Sequence, residues 1–436
     1  MKNLFRRLLI CSCLSMAVFP GGEAYAGLVP EGPEILVNQS TGLGQIFPRA
    51  AAAADGRLVV AWVSRGGPTP NRRDLLLRRF DADGLPEGNE VPITFFSDAS
   101  PSGKSYLGVD LADNIVIAFR VQQPFTPGIY SDIFYRKLLP DGSSTGISGV
   151  VSPDNETNFI GGLGVSQSGA FVVAWDSCCE GPIFELGAYS QFVSDQGAEE
   201  EGPIFHHNLS SGIPSVTATL GGEFLVAWLE HSPRGAGLNV VGQWLEEDGT
   251  EDGPPVEVAL GGSYLDVLAR SQPEGVGLLA WEEWEDGVVE LRGRRLSREG
   301  LVLGSEFSLL EFPLAGQEFR FFFYDIAVFP NGEFVAVWTD QPGDGTPTTF
   351  WGRHFSQDGT ALTSQISLSL PSFSHETRPS LAVGGPDKFW LVWENTDGRD
   401  GAENGIFAQR YRITREPLFS DGFESGDLLA WSASVP

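Results

Sequence analysis

Short apolar runs closed by an aromatic residue recur along this chain. They read Leu58-Val59-Val60-Ala61-Trp62, Ile115-Val116-Ile117-Ala118-Phe119, Phe171-Val172-Val173-Ala174-Trp175 and Phe224-Leu225-Val226-Ala227-Trp228. Three more follow: Gly277-Leu278-Leu279-Ala280-Trp281, Phe334-Val335-Ala336-Val337-Trp338 and Phe389-Trp390-Leu391-Val392-Trp393. The closing aromatics are 57, 56, 53, 53, 57 and 55 residues apart. A tight turn precedes each run, as in Asp55-Gly56, Ser168-Gly169 and Asn331-Gly332. A further apolar segment follows, ending at Phe80, Leu138, Phe192, Leu245, Leu296, Phe355 or Tyr411. Beyond it, six of the seven copies carry an acidic turn such as Asp83-Gly84 or Asp248-Gly249. Gly and Asn tolerate positive φ, so these are hairpin connections between strands.

Each repeat therefore predicts four antiparallel strands in about 55 residues, a period that marks stacked repeat architectures. The second strand is continuously apolar rather than alternating, which requires burial on both faces. Seven such units in a ring supply that burial, and the expected fold is all-β, a seven-bladed β-propeller of four-stranded antiparallel blades. A row of separate sandwiches would need about 100 residues per domain. The seventh copy lacks the acidic turn and a fourth strand after Tyr411, while an unmatched strand precedes the first copy at residues 33–38. That segment is expected to complete the last blade and close the ring, leaving no open edge.

The ends of the chain read differently. Lys2, Arg6 and Arg7, an apolar stretch over 8–19 and Ala24-Tyr25-Ala26 make residues 1–26 a secretory signal peptide. Lipidation at Cys11 or Cys13 is the rival reading, disfavoured by Ile10 and Ser12 before them. The apolar stretch falls short of the roughly 20 residues that span a bilayer. The expected domains are thus a leader (1–26), the propeller (27–416) and a tail (417–436).

Charge narrows the partners. The chain carries 57 acidic and 28 basic residues, a formal charge of −29, and loss of 1–26 leaves 25 basic against 56 acidic. Such an excess repels phosphate backbones and anionic lipid, so nucleic acid and membrane surfaces are excluded. A soluble, exported monomer is expected. Cys178 and Cys179 alone remain after the leader, adjacent in sequence, and in an oxidising compartment can pair only with each other, as a strained vicinal disulfide. A local loop staple is the favoured reading over a redox switch or free thiols.

The Gly-x-Phe-Val-Val-Ala-Trp core with its following Asp-x-Asp-Gly turn resembles the propeller-type repeats of large secreted bacterial surface proteins, over roughly residues 33–416. Leu418-Phe419-Ser420-Asp421-Gly422-Phe423-Glu424-Ser425-Gly426-Asp427 through Trp431 resembles a short C-terminal tag of exported bacterial proteins. The resemblance implies architecture and export and names no activity.

Candidate chemistry lies on the connections from second to third strands, which are longer than the acidic turns and share one face. Glu282, Glu283 and Trp284 there combine carboxylates with an aromatic, which suits a sugar. Trp284 as a lid and solvated acids are the plain alternative. Asp340 and Asp344 add further acids. Asn395, Asp397 and Asp400 offer oxygens to Ca²⁺ at alternate positions, although Arg399 interrupts the loop and solvated turn acids fit as well. The five histidines lack metal-ligand spacing and are expected at solvent or strand edges. The column Arg78, Arg136, Ser190, Gln243, Arg294, Arg353 and Gln409 recurs in every repeat, which argues for a structural role rather than an anion ring. No catalytic motif is present. The first expectation is a non-catalytic module that binds a protein or glycan through the long-loop face. The alternative is an extracellular hydrolase or lyase with acids at the channel mouth, which convergence of three or more acids with a histidine there would favour.

Overall fold

The computed structural model describes residues 24–416 except 43, 66–72, 94–99, 123–130, 153–156, 179–186, 200–201, 209–211, 234, 236, 286–287, 314–322, 341–347, 369–375 and 402. The described residues form an all-β fold of four-stranded antiparallel sheets. β1 (Ala24–Leu36) precedes the repeats. The first repeat is β2 (Gln45–Ala52), β3 (Leu58–Ser64), β4 (Asp74–Phe80) and β5 (Val91–Pro92). The second is β6 (Ser100–Val109), β7 (Ile115–Gln122), β8 (Ser131–Leu138) and β9 (Ser144–Val150). The third is β10 (Thr157–Val165), β11 (Phe171–Cys178), β12 (Gly187–Val193) and β13 (Ile204–Asn208). The fourth is β14 (Ser215–Ala218), β15 (Phe224–His231), β16 (Leu238–Leu245) and β17 (Glu251–Gly262). The fifth is β18 (Tyr264–Gln272), β19 (Val276–Glu285), β20 (Val288–Ser297) and β21 (Val302–Pro313). The sixth is β22 (Tyr324–Val328), β23 (Phe334–Asp340), β24 (Thr349–Phe355) and β25 (Ile366–Ser367). The seventh has three strands of its own, β26 (Glu376–Val383), β27 (Lys388–Asn395) and β28 (Gly405–Glu416).

Within each repeat the strands pair in sequence order. A single parallel bridge, Thr157 to Ser131, joins the second and third repeats, locked by Asn158 Nδ2 donating to the Ser131 carbonyl at 3.1 Å. β1 is the outer strand beside β28, paired from Ala24 opposite Glu416 to Leu36 opposite Phe407. It is longer than the expected 33–38 and runs through residues 24–26, which the sequence assigns to the leader. Residues 1–23 and the tail 417–436 lie outside the described residues.

The apolar runs do what their pattern requires. β3 is buried at every position. Leu58, Val60 and Trp62 pack on Trp390, Val392 and Ala408 of the seventh repeat, while Val59, Ala61 and Val63 pack on Ile115, Ile117 and Phe119 of the second. Alternate residues thus serve two neighbours, as the two-fold strand period dictates. The seven closing aromatics are all buried, Trp62 without exposure and Trp393 at 3 %. First strands lie side by side: β2 touches β6 and β26, β10 touches β6 and β14, and β18 touches β14 and β22, with β22 against β26. Gly56 (φ 90°) shows how tightly the turns abut, since a Cβ there would sit 2.6 Å from the Gly384 carbonyl oxygen.

The recurring Arg/Gln column has a structural task. Its side chain reaches the backbone carbonyl ten residues on, in the outer strand or the segment before it: Arg78 Nε to Gly88 at 3.3 Å, Gln243 Nε2 to Gly253 at 3.2 Å, and Arg353 Nε to Thr363 at 3.1 Å. Arg78 and Arg353 also lie over Phe80 and Phe355, two residues along the same strand face. Among the described residues no helix is long and apolar enough to cross a membrane.

Candidate functional site

The first strands are irregular near their starts. Register shifts fall between Ile46 and Arg49, Pro101 and Ser105, Ile160 and Gly162, Tyr264 and Val267, and Thr377 and Ser380. A bulge bends its strand and re-aims a side chain. Phe47 (φ 57°) and Arg378 (φ 54°) occupy the left-handed region, which costs about 1–3 kcal/mol each for such residues. Phe47, Lys104, Asp266 and Arg378 all fall within these bulges and line one cavity of about 300 Å³, walled by the first strands of all seven repeats. It lies at the end where the first strands begin and the second strands finish, the long-loop end.

Glu282, next to the closing Trp281, belongs to this end. It is 8 % exposed, and burial, reinforced by Asp266 and opposed by Lys104, pushes its carboxyl up to about 8. At pH 7 a group with that value is about nine-tenths protonated. Asp266 is half-buried and lines the cavity, and its partial withdrawal from water raises its pKa against the pull of Lys104 and Arg49. One Asp266 oxygen accepts the Val267 N–H at 2.9 Å. Tyr324 is held well above its ordinary value, by burial first and then by Asp266 and Glu282. Its hydroxyl donates to the Ala280 carbonyl at 3.5 Å.

Ion pairs frame the cluster. Asp325 accepts Arg270 from β18 and the Leu381 N–H from β26 at 2.8 Å, so one carboxylate ties three successive first strands. Arg378 donates to Glu394 at 2.7 Å and lies over the rings of Phe47 at 4.5 Å and Phe323 at 5.1 Å. Glu394, 2 % exposed, also accepts the Phe47 N–H at 3.2 Å and Asn404 Nδ2 at 2.7 Å. Arg49 lies over the Tyr106 ring at 5.0 Å. A second cavity of about 460 Å³ at the opposite end is lined mostly by small and apolar side chains such as Ala52, Val109 and Val328.

The residues nominated from sequence are scattered. Glu282 enters the cluster, from a strand rather than a loop, since β19 runs to Glu285. Glu283 turns to an ion pair with Arg292. Trp284 is 43 % exposed and its backbone N–H donates to Ser263 at 3.0 Å. Asp340 ends β23 with its backbone opposite Thr349, and Asp344 lies outside the described residues. Asn395 and Asp397 accept backbone N–H groups of Asp397 and Arg399 at 3.1 and 2.9 Å, and Asp400 accepts Asn38 Nδ2 at 3.2 Å. Among the described residues no three His, Cys, Asp or Glu side chains gather as a metal site. Cys178 ends β11, and Cys179 lies outside the described residues.

One histidine departs from expectation: His354 is fully buried beside Glu333 at 3.1 Å. His206 lies half-buried on the edge strand β13, where it bonds Ser190 at 2.7 Å and stacks on Trp228. Burial lowers both to about 4. Neither lines the cavity, which Asp266 and Asp325 line without a histidine among the described residues, while Glu282 and Glu394 act on it through Asp266 and Arg378. The column immediately after the closing aromatic, which supplies both Glu282 and Glu394, was the signal available in sequence. Asp266, Tyr324 and Lys104 had none beyond a charge or hydroxyl in an apolar strand.

No family model and no curated protein matches the chain. Solved structures do. A protein of unknown function from Dyadobacter fermentans is 13 % identical, with 89 % of this chain and 100 % of that one covered and a TM-score of 0.52. The polysaccharide lyase Uly1 is 11 % identical over 90 % and 100 % of the two chains, with a TM-score of 0.49. The α-L-arabinofuranosidase Arb93A of Fusarium graminearum is 11 % identical over 90 % and 97 %, with a TM-score of 0.43. At these identities the first of the three shows a shared fold, and none shows a shared activity.

Proposed function

We propose that this protein is an exported glycan-cleaving enzyme, a closed ring of seven blades with its active site in the cavity at the long-loop end. The observation that carries the catalytic reading is the burial of Glu282 in electrostatic contact with Asp266 and Tyr324, both of which line the cavity. Two neighbouring carboxyl groups, one acting as acid and one as base, are what acid–base cleavage of a glycosidic bond uses. Glu282, protonated at neutral pH, gives its proton to the leaving oxygen as the bond from the anomeric carbon breaks. Water adds to that carbon and loses a proton to the Asp266 carboxylate. The aromatic rings of Phe47, Phe323 and Tyr106 supply apolar faces for the sugar.

Ring closure is supported by the packing of Trp62 on the seventh repeat and by β1 standing where that repeat lacks a strand. Export is supported by the leader pattern of residues 1–26, and kinship with secreted surface propellers by the repeat core itself. The test is incubation of the leaderless protein with a polysaccharide panel, with and without Ca²⁺, scoring new reducing ends and the ultraviolet absorbance of unsaturated uronate. New reducing ends without that absorbance, lost about a hundredfold or more in Glu282→Gln, are expected. Absorbance would make it a lyase. Retention of a glycan without any cleavage would return the protein to a binding module.

A further inference from the structure

Cations in this acidic chain are usually spoken for. Lys137 meets Asp110 at 3.4 Å, Lys388 meets Glu31 at 3.1 Å and Arg399 meets Glu34 at 2.8 Å. Arg270 and Arg378 at the cavity are likewise held, by Asp325 and Glu394. Lys104 and Arg49 are different. Both line the cavity, and neither contacts a carboxylate among the described residues. Arg49 makes one long contact to the Pro48 carbonyl at 3.4 Å and lies over Tyr106. Lys104, one of four lysines in the chain, interacts electrostatically with Asp266 and Glu282 without touching either. Arg78 and Arg353 also lack a carboxylate but donate to backbone carbonyls at normal distances, whereas Lys104 and Arg49 stand together in one concave place with no carboxylate partner among the described residues. A cation withdrawn from water without a partner is costly, and a ligand anion removes that cost.

We propose that the cavity takes an anionic glycan, and that Lys104 and Arg49 hold its carboxylate or sulfate beside Asp266. This rests on the glycan reading of the cavity, not on which bond is cut. The overall charge opposes such a ligand at long range, yet at physiological salt exposed charges act over only about 8 Å, so the local pair decides.

The test measures binding of four oligosaccharides to the cleavage-blocked Glu282→Gln protein: a uronate, its carboxyl-reduced counterpart, a sulfated one and its desulfated counterpart. At least one anionic form is expected to bind about ten- to a hundredfold more tightly than its neutral counterpart. Lys104→Gln and Arg49→Gln should each erase most of that preference while the melting temperature stays put. The comparison of ligands on the unmutated cavity stands even if a variant fails to fold. Equal binding of charged and neutral forms, or a preference that survives both substitutions, overturns the proposal, as does binding of none. Cleavage of neutral glycans alone would sink the anion site and leave the hydrolase. An anion preference without turnover would do the reverse.

Discussion

Gln409 donates its side-chain amide to the carbonyl oxygen of Gly32 at 3.2 Å, across 377 residues of chain. In other repeats the same bond spans ten residues, from Arg78 to Gly88 or Gln243 to Gly253. The seventh repeat finds its acceptor in β1, so β1 takes the place its own fourth strand would have. Removing residues 24–36 should cost several kcal/mol and lower the melting temperature sharply, whereas Gln409→Ala should cost about 1 kcal/mol. Thermal melts compare the two, and an unchanged transition for the deletion would refute the closing role.

Glu282 makes stability depend on pH. Its carboxyl stands at about 8 when folded against 4.5 as the ordinary value, so the native state holds a proton that the unfolded state has lost between those limits. Stability from this group is therefore present below about pH 4.5 and declines as pH rises towards 8. Glu282→Gln should flatten that decline and be more stable than wild type at pH 8, read by denaturant titration at several pH values.

His206 and His354 act in the opposite sense. Both fall to about 4 from 6.5, so the unfolded state binds protons first as pH drops, and stability is lost between those values. His206→Gln should reduce the acid sensitivity over that window without altering the melt at neutral pH by more than about 1 kcal/mol. An acid limb that is identical in the variant would show that His206 is not its source.

If Glu282 is the proton donor, activity should fall as pH passes about 8, where it ionises. Asp266→Asn should depress turnover by about 100-fold or more. A variant with near-normal turnover would dismiss Asp266 from the reaction.

Glu394 holds together Arg378, the Phe47 N–H and Asn404. Glu394→Ala leaves a half-buried guanidinium without its carboxylate and should cost about 3 kcal/mol, with Glu394→Gln milder. Far larger losses of activity than of stability in Glu394→Gln would mean that the rim geometry governs the reaction.

What was legible in sequence and what was not divides along a physical line. The closing aromatics, the third-strand ends and the turns recur because each repeat solves the same packing problem, so Trp62 and Trp338 announce their own burial. The N-terminal strand was legible as a missing piece, although its start at Ala24 rather than 33 depends on pairing with β28. Asp266, Lys104 and Arg378 were illegible because bulges belong to the register between two strands, and register is not local. Glu282 was legible as an acid but was read as a loop residue. His354 looked like a surface residue because nothing local reveals the cover supplied by its neighbours.

The pairing of β1 with β28 also sets a clock. The first strand to be made has as its partner the last repeat, so it stays unsatisfied while almost the whole chain is synthesised, roughly 20–80 s at ordinary elongation rates of about 5–20 residues per second. Each repeat can assemble on the one before it as it appears, but this last lock waits for the seventh. A chain so arranged postpones its final stable state until it is whole.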